Sequence, residues 1–275
     1  MATAFICTTC GTQYPPADAP PDTCPVCTEE RQYVAPGGQS WTSLAALRHT
    51  HLNGFRTLEP GLLGIGTSPH FAIGQRALLL RTPAGNVLWD CISLIDDATV
   101  ELIGGLGGIA DIAISHPHYY TTMVEWAHAF GATVHVHAAD RAWIMRPDPA
   151  VQPWEGETRR LGAGLTLIRA GGHFPGGAVL HWEAAAEGRG ALLSGDIAQV
   201  TPDRAHVSFM RSYPNLLPLG EAAVRGIAAR LAPWRYDRIY GAFWDRVIAR
   251  DAEAALAASV ARYLAWIGSP DADPA

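Results

Sequence analysis

The fold is decided by the stretch ADIAISHPHYYT, which occupies positions 110–121. Its apolar first half, Ala110–Ser115, predicts a buried strand, because a short apolar run of this length is typical of a strand covered on both faces. His116 and His118 follow directly. Side chains at positions i and i+2 of an extended segment point the same way, so both imidazoles can reach one metal ion. The stretch therefore predicts a metal-binding loop at the end of a strand.

A third histidine and an aspartate stand in similar surroundings further along the chain. His173 lies in the segment GGHFPGG, positions 171–177, whose glycines permit tight turns that aim the ring. Asp196 follows the apolar run Ala191–Ser194. Three imidazoles and one carboxylate suit zinc or iron and leave room for a water molecule. We therefore expect these two residues to join the histidine pair around one metal ion, either zinc or iron.

The order of these landmarks resembles that of the metallo-β-lactamase superfamily, over residues 61–241. A strand ending in Leu88-Trp89-Asp90 comes first, the HxH loop second, Gly-His-x-Pro-Gly at 172–176 third, and Gly195-Asp196 last. The resemblance implies an α+β fold, the αββα sandwich of two mixed sheets, with metal bound at the sheet edges. The family's ligand positions fall on His116, His118, His173 and Asp196.

The chain departs from the family pattern on one side of this site. The family usually reads HxHxDH, and this chain has Tyr120 and Thr121 at the last two of those positions. Phe243 stands where a late histidine is expected. In the family these positions hold a second metal ion, so the resemblance implies a site with one metal ion or a site that has drifted from hydrolysis. The candidate catalytic residues are Asp196, which would ligate or orient the attacking water, and Tyr120, whose phenol would donate a hydrogen bond to a substrate oxyanion.

Four of the five cysteines lie near the start of the chain, as the pairs Cys7/Cys10 and Cys24/Cys27. Two CxxC pairs at this spacing predict one tetrahedral site of four thiolates. The stretch Phe5–Val34 resembles rubredoxin-like and zinc-ribbon knuckles. A four-sulfur tetrahedron accepts zinc or iron. We expect zinc, since no electron-transfer domain is visible, with iron as the alternative.

A loop rich in Pro, Gly and Ala at positions 35–39 predicts a domain boundary. We expect a four-cysteine ribbon at residues 1–38 and a metallo-β-lactamase-like domain at residues 39–275. The signature Thr122-x-x-Glu125 predicts a capping box at a helix start. Strand-like runs are 76–81, 86–91, 110–115, 133–137, 165–170, 178–182, 191–194 and 238–241, and helix-like runs are 97–106, 122–130, 139–145, 221–231 and 251–267.

Composition excludes several classes of protein. The 275 residues are 48% hydrophobic and 17% charged, which excludes a disordered chain. The longest apolar runs fall far short of the ~20 residues that span a bilayer. The net charge is −6 without a basic cluster, so we expect no nucleic-acid partner. We expect a cytoplasmic protein that takes a small-molecule substrate and has no membrane partner, and an oligomer stays possible.

Other polar residues carry secondary expectations. His135 and His137 lie inside a strand-like run and are interpreted as structural. Asp90 is interpreted as a carboxylate that orders the neighbouring loop. His181 and His206 are the alternatives for the missing late ligand.

These observations favour a metal-dependent hydrolase that uses a metal-activated water. The substrate stays open, because the superfamily acts on lactams, thioesters, phosphodiesters and lactones. One alternative is a redox protein, in which an iron-loaded four-cysteine knuckle donates electrons to a non-haem iron. The other is a metal-binding protein without catalytic activity.

Overall fold

The computed structural model describes residues 2–268 of the chain. The chain forms two compact units, Met1–Glu155 and Gly156–Ala275. Each unit contains a large mixed β-sheet, of seven strands in the first unit and six in the second. Within each sheet some neighbouring strands are parallel and others antiparallel.

The first unit begins with a cysteine-containing segment, residues 2–43, which we call the ribbon. It consists of β1 (Thr3–Cys7), β2 (Gln13–Ala17), α1 (Pro25–Thr28) and β3 (Trp41–Ser43). Its strands form an antiparallel sheet with β1 in the middle. Because β3 pairs with β1, this sheet includes residues beyond position 38. The domain boundary at 38 stays a prediction.

The remainder of the first unit is the seven-stranded sheet with its connections. In chain order its elements are α2 (Leu44–Thr50), β4 (Leu52–Glu59), β5 (Leu62–Ser68), β6 (Ala77–Leu80), β7 (Val87–Trp89), α3 (Asp97–Gly105), β8 (Asp111–Ala113), a 3-10 turn (Pro117–Tyr119), α4 (Met123–Phe130), β9 (Thr133–His137), a second 3-10 turn (Ala138–Trp143) and β10 (Val151–Trp154). Strands β4 to β7 are antiparallel neighbours, and β7 to β10 are parallel neighbours. The carboxyl ends of β7 to β10 therefore meet at one edge of the sheet.

The start of α3 follows from its sequence, whereas the start of α4 does not. The carboxylate of Asp96 accepts the backbone N–H of Thr99 at 2.8 Å, a regular N-cap. The capping box expected at α4 is wrong, because the side chain of Thr122 makes no cap hydrogen bond. Its hydroxyl instead donates to the carbonyl oxygens of Ile92 and Ser93, at 3.2 and 2.9 Å. Tertiary partners thus replace the local ones.

The second unit is built around a six-stranded sheet. Its elements are β11 (Thr158–Gly162), β12 (Leu165–Arg169), β13 (Ala178–Trp182), α5 (Ala185–Gly188), β14 (Ala191–Gly195), β15 (Gln199–Val200), β16 (Val207–Ser208), β17 (Met210–Ser212), β18 (Leu217–Pro218), α6 (Glu221–Leu231), β19 (Arg238–Gly241), β20 (Val247–Ile248) and α7 (Ala252–Gly268). The strand order is β11-β12-β13-β14-β19-β20, and β14 and β19 are parallel. Strands β15/β16 and β17/β18 form two small separate sheets.

Apolar stripes on α6 and α7 contribute to the core of the second unit. Val224, Ile227 and Leu231 are buried along α6, as their helical spacing predicts. Leu256 of α7 is buried in the same core, while Ile267 near the end of that helix is 39% exposed. Val260 and Leu264 between them are partly buried against the same core, so the burial of α7 decreases towards its end.

The predicted strands and helices are found in place, with one change of type. The run 139–145 forms a 3-10 turn, Ala138–Trp143, instead of an α-helix. Arg146 precedes Pro147, and a residue before proline is disfavoured in helical conformation, so the segment is too short for a stable α-helix. The sequence pattern does not predict β5, which contains Gly64 and Gly66; glycine weakens a strand signal.

Candidate metal centres

The four ribbon cysteines converge, as the two CxxC pairs predict. Their sulfur atoms lie within 4.8 Å of one another, and all four side chains are buried. The Sγ atoms of Cys7 and Cys27 are 3.6 Å apart, as are those of Cys10 and Cys24. A disulfide would need ~2.05 Å. Sulfurs placed ~2.3 Å from a central zinc ion are ~3.8 Å apart, so this cluster fits a tetrahedral metal ion.

Polar groups contact this cluster, and hydrogen bonding within it favours the thiolate form at two of the four cysteines. The hydroxyl of Tyr14 donates a hydrogen bond to Sγ of Cys24 at 3.2 Å. Oγ1 of Thr12 lies 3.2 Å from Sγ of Cys10. Hydrogen bonding with Cys10 lowers the pKa of both Cys7 and Cys24. Burial, reinforced by Cys24, raises the pKa of Tyr14 and keeps its phenol a donor.

His116 and His118 lie just beyond β8, at the edge where the parallel strands end. The expectation that both stand in an extended segment is wrong for His118, which lies in the 3-10 turn Pro117–Tyr119. Proline suits the first position of such a turn because its φ angle is already fixed. The turn still brings the two buried rings together, with centroids 5.1 Å apart.

The end of β7 holds the backbone before His116. The carboxylate of Asp90 accepts the backbone N–H of Ser115 at 2.8 Å, and the N–H of Asp90 donates to the carbonyl of Ala113 at 2.8 Å. Oγ of Ser115 lies 2.8 Å from Nδ1 of His116. Asp90 is fully buried, so its hydrogen bond is shielded from water. It contacts the loop in the way the sequence interpretation expects.

His173 lies in the connection between β12 and β13 of the second unit. A Cβ atom on Gly177 would come within 2.9 Å of the carbonyl oxygen of Gly171 and 3.0 Å of that of Phe174, so only glycine fits there. Nδ1 of His173 lies 2.9 Å from the carbonyl oxygen of Met210. A carbonyl only accepts, so Nδ1 carries the proton and Nε2 keeps its lone pair.

Sequence reasoning misses two of the groups that orient these rings. Met210 acts through its backbone carbonyl, which leaves no side-chain signal in the sequence. Ser115 is a common small residue at the end of an apolar run, and its contact with His116 becomes visible only in the structure.

The structure brings the three predicted histidines together. The ligand nitrogens of His116, His118 and His173 lie within 4.8 Å of one another, and all three side chains are buried. We call these residues the histidine group. Among the described residues, Asp196 is not a member of that mutually close group. Asp196 is buried directly after β14, where Oδ1 accepts a hydrogen bond from Nε2 of Gln199 at 3.0 Å. Its part as a ligand stays a prediction.

The three positions that depart from the family pattern have different surroundings. Tyr120 is buried, and burial with the nearby charge of Asp140 raises its pKa, so its phenol stays protonated at neutral pH. Thr121 is buried with a φ angle of 38°. Phe243 is half-buried two residues past the end of β19. The catalytic part of Tyr120 stays a prediction.

Other histidines have partners of their own. Nε2 of His135 lies 2.6 Å from Oδ1 of Asp111, and Nδ1 of His137 accepts the backbone N–H of Ala139 at 3.1 Å. These contacts agree with a structural role for the side chains of both histidines.

The two alternatives for the missing late ligand are also engaged elsewhere. Nε2 of His181 lies 2.8 Å from the carbonyl oxygen of Arg235, and Nδ1 of His206 lies 2.6 Å from Oδ2 of Asp203. In the described part of the chain, neither belongs to the histidine group.

Comparison with solved structures identifies the fold. The chain is similar to a metallo-β-lactamase of Cronobacter sakazakii with a HARLDQ motif, at 21% identity and a TM-score of 0.51, covering 78% of this chain and 92% of that one. It is similar to VMB-1 with a TM-score of 0.59, 11% identity and coverage of 78% and 98%. It is similar to FIM-1 of Pseudomonas aeruginosa in a mono-zinc form with a TM-score of 0.55 and 14% identity, covering 76% of this chain and 95% of that one. The chain thus has the metallo-β-lactamase fold, and the expected fold class is confirmed.

A relative by sequence shows the family. YmaE of Bacillus subtilis strain 168, described as an uncharacterized protein, is 46% identical over 267 residues, which cover 96% of this chain and 97% of YmaE. The chain belongs to the same family as YmaE. No protein-family model matches the chain. Within residues 2–268, every helix is too short or too polar to cross a bilayer.

Proposed function

We propose that this chain is a metal-dependent hydrolase of small molecules with one metal ion, zinc or iron, at the histidine group. His116, His118 and His173 supply the ligand nitrogens, and Asp196 supplies a fourth ligand or orients the attacking water. The observation that supports the proposal is the burial of three imidazoles whose ligand nitrogens lie within 4.8 Å. Neutral imidazoles and a carboxylate are ligands that zinc and iron accept.

The orientation of His173 also supports metal binding. Its Nδ1 proton is held by the carbonyl oxygen of Met210, which leaves Nε2 as the ligand atom. Histidines that bind metals usually donate their other ring N–H in this way, which fixes the tautomer and raises the basicity of the ligand nitrogen.

The chain's own residues would divide the hydrolytic work. A zinc or iron ion held by these residues would act as a Lewis acid that polarises a carbonyl or phosphoryl oxygen and makes water more acidic. Asp196 would orient the attacking water and accept its proton. Tyr120 would donate a hydrogen bond to the substrate oxygen that gains negative charge. Its raised pKa supports this part, because a donor must keep its proton at working pH.

The residues at the three positions that differ from the family pattern support a single metal ion at the histidine group. Tyr120, Thr121 and Phe243 offer a phenol, a hydroxyl and a phenyl group. A phenol must lose its proton to bind a divalent cation, and its raised pKa opposes that loss. With the thiolate-bound ion of the ribbon, which we propose to be zinc, the chain would hold two metal ions.

The proposed compartment is the cytoplasm. None of the five cysteines forms a disulfide, and the close pairs in the ribbon have sulfurs 3.6 Å apart. Reduced cysteines and thiolate-bound metal are typical of a reducing compartment. We propose a small-molecule substrate, without a nucleic-acid or membrane partner.

Metal analysis gives the first test. Protein purified from unsupplemented cells should lack iron–thiolate colour and contain two equivalents of metal, zinc in the ribbon and zinc or iron at the histidine group, and Cys24→Ser should retain one. Red protein with iron–thiolate absorption would favour the redox alternative. Two equivalents in Cys24→Ser would contradict a single-metal histidine group.

Turnover gives the second test. Metal-loaded protein would be assayed on a lactam, a lactone, a thioester and a phosphodiester. We expect hydrolysis of one class that falls more than about 100-fold in His118→Ala, since a metal ligand is lost. His128→Ala is the matched control, because His128 lies on α4 with 54% of its side chain exposed. Absence of turnover on all four, or equal turnover in His118→Ala, would contradict the hydrolase and favour a non-catalytic metal-binding protein.

A further inference from the structure

Thr121 has an unusual backbone conformation at the end of the segment that carries the two histidines. Its φ angle is 38°, in the left-handed region that β-branched residues rarely adopt. Its hydroxyl is buried and has no hydrogen-bond partner among the described residues. The side chain of Thr121 therefore does not stabilise this conformation by a hydrogen bond of its own. Such a conformation persists only when the surrounding structure enforces it.

The ribbon contacts this residue directly. The backbone N–H of Gln13 donates to the carbonyl oxygen of Thr121 at 3.1 Å. A Cβ on Gly11 would lie 3.4 Å from Cγ2 of Thr121 and 2.4 Å from Oγ of Ser93, so the backbone of the knuckle lies against both. The hydroxyl of Ser93 donates to the carbonyl of Gly11 at 3.2 Å. Gly11 directly follows Cys10 in sequence, so one of the four cysteine ligands lies next to these contacts.

The side chain of Gln13 reaches the helix that follows Thr121. Its Nε2 donates to Oε1 of Glu125 on α4 at 3.1 Å. Arg146 donates to Oε1 of Gln13 and, at 2.6 Å, to Oε1 of Glu125. The side chains of Arg146 and Glu125 are only 16% and 29% exposed, so this network is partly shielded from water. The ribbon therefore contacts both Thr121 and the start of α4.

We infer that the ribbon positions the turn that carries His118, through Gln13 and Gly11, so that an occupied four-cysteine site raises the metal affinity of the histidine group. Gln13 is the positioning residue, since it contacts Thr121 through its backbone and α4 through its side chain. When the cysteine cluster loses its metal, Gly11 and Gln13 lose their fixed positions. Thr121 then relaxes to a negative φ angle, and the turn ahead of it moves. The inference rests on the proposed function only in assuming that the histidine group binds a metal.

The test measures cobalt affinity of the histidine group by its visible absorption under chelator competition. Cys24→Ser should weaken this affinity about tenfold, the size typical when a group supporting a metal ligand is lost. The loss should depend on Thr121. In a Thr121→Gly background, where glycine adopts the left-handed conformation without help, Cys24→Ser should weaken the affinity less than about threefold.

Thr121→Ala is the matched control. Alanine removes the same hydroxyl but keeps a Cβ, so it still needs the ribbon, and Cys24→Ser should again cost about tenfold. The inference would be overturned if Cys24→Ser weakened cobalt affinity equally in the Thr121→Gly and Thr121→Ala backgrounds. It would also be overturned if Cys24→Ser weakened cobalt affinity less than twofold in the protein with Thr121 intact.

A second variant and a metal-free readout cover the case in which Cys24→Ser does not fold. Gln13→Ala keeps the cysteines and removes the hydrogen bonds to Glu125 and Arg146. Amide hydrogen exchange over residues 116–125 should accelerate in this variant, and unchanged exchange would overturn the inference. If the parent binds cobalt only at the ribbon, the proposed function fails, and the exchange result still decides whether the ribbon positions the turn.

Discussion

The two metal-binding groups of this chain are built in opposite ways. The four cysteines come from one short segment, with Cys7 and Cys27 only 20 positions apart. The histidine group takes its ligands from distant parts of the sequence, and its rings contact other residues, such as the carbonyl of Met210 at His173. Local sequence therefore determines the geometry of the cysteine site, whereas the geometry of the histidine group depends on the whole fold.

The two groups also differ in how much they need the metal. Four thiolates this close cannot all be ionised without a cation. Hydrogen bonds among the thiols lower the pKa of Cys7 and Cys24 and raise that of Cys10, as shared protons require. The histidines bind metal as neutral rings. Loss of its own metal should therefore disrupt the ribbon, whereas the histidine group should stay folded when only its own metal is removed.

The largest effect is expected for Cys24→Ser. The variant should lose one metal equivalent and more than about 5 kcal/mol of folding free energy in the ribbon, because the binding energy of a structural metal is folding energy. Trypsin cleavage within residues 2–43 and metal stoichiometry measure both losses. Cys91→Ala is the control, since Cys91 is equally buried but lies outside the cluster. A ribbon as protease-resistant as the parent's would contradict the stated dependence on metal.

A smaller structural effect with a large binding effect is expected for His116→Ala. The histidine group should bind zinc more than about 100-fold more weakly with two imidazoles than with three. The ribbon should keep its metal and its protease resistance. Calorimetric titration of zinc into chelator-treated protein distinguishes the two sites. Simultaneous loss of both metals would show that the histidine group also supports the ribbon, against the comparison above.

Sequence predicts the ligands better than it predicts what orients them. The four ribbon cysteines are identified by their spacing, because a knuckle is a local structure. The histidines are identified by their places after strands and by resemblance to a family. Of their orienting groups the sequence identifies Asp90. It does not identify Met210, which acts through its backbone, or the hydrogen bonds of Gln13, which join segments far apart in sequence. The capping box at Thr122 fails for the same reason, because tertiary partners take its hydroxyl.

Gly177→Ala tests the dependence of the histidine group on the fold without touching a ligand. The new Cβ would meet the backbone carbonyls of Gly171 and Phe174 at 2.9 and 3.0 Å, and backbone cannot move aside cheaply. We expect a loss of about 2–3 kcal/mol in urea unfolding and weaker zinc binding at His173. Gly220→Ala is the control, since its Cβ would meet no atom within 4 Å. Destabilisation with unchanged zinc affinity would show that His173 keeps its place independently of this turn.

The smallest effect compares one tyrosine from each region at alkaline pH. Burial raises the pKa of both Tyr14 and Tyr120. Above pH ~10 the unfolded chain releases each phenolic proton while the folded chain keeps it, so stability falls by up to about 1.4 kcal/mol per pH unit per tyrosine. Below that pH this contribution is constant. Tyr120→Phe and Tyr14→Phe should each reduce the alkaline slope of the unfolding free energy by that amount in urea unfolding between pH 10 and 11.

At pH 7 the two variants should differ in stability, because Tyr14→Phe also loses the hydrogen bond to Cys24, worth about 1.5–3 kcal/mol when the acceptor is charged. Equal stability of the two variants at pH 7 would mean that the sulfur of Cys24 carries no charge, which contradicts a thiolate-bound metal in the ribbon.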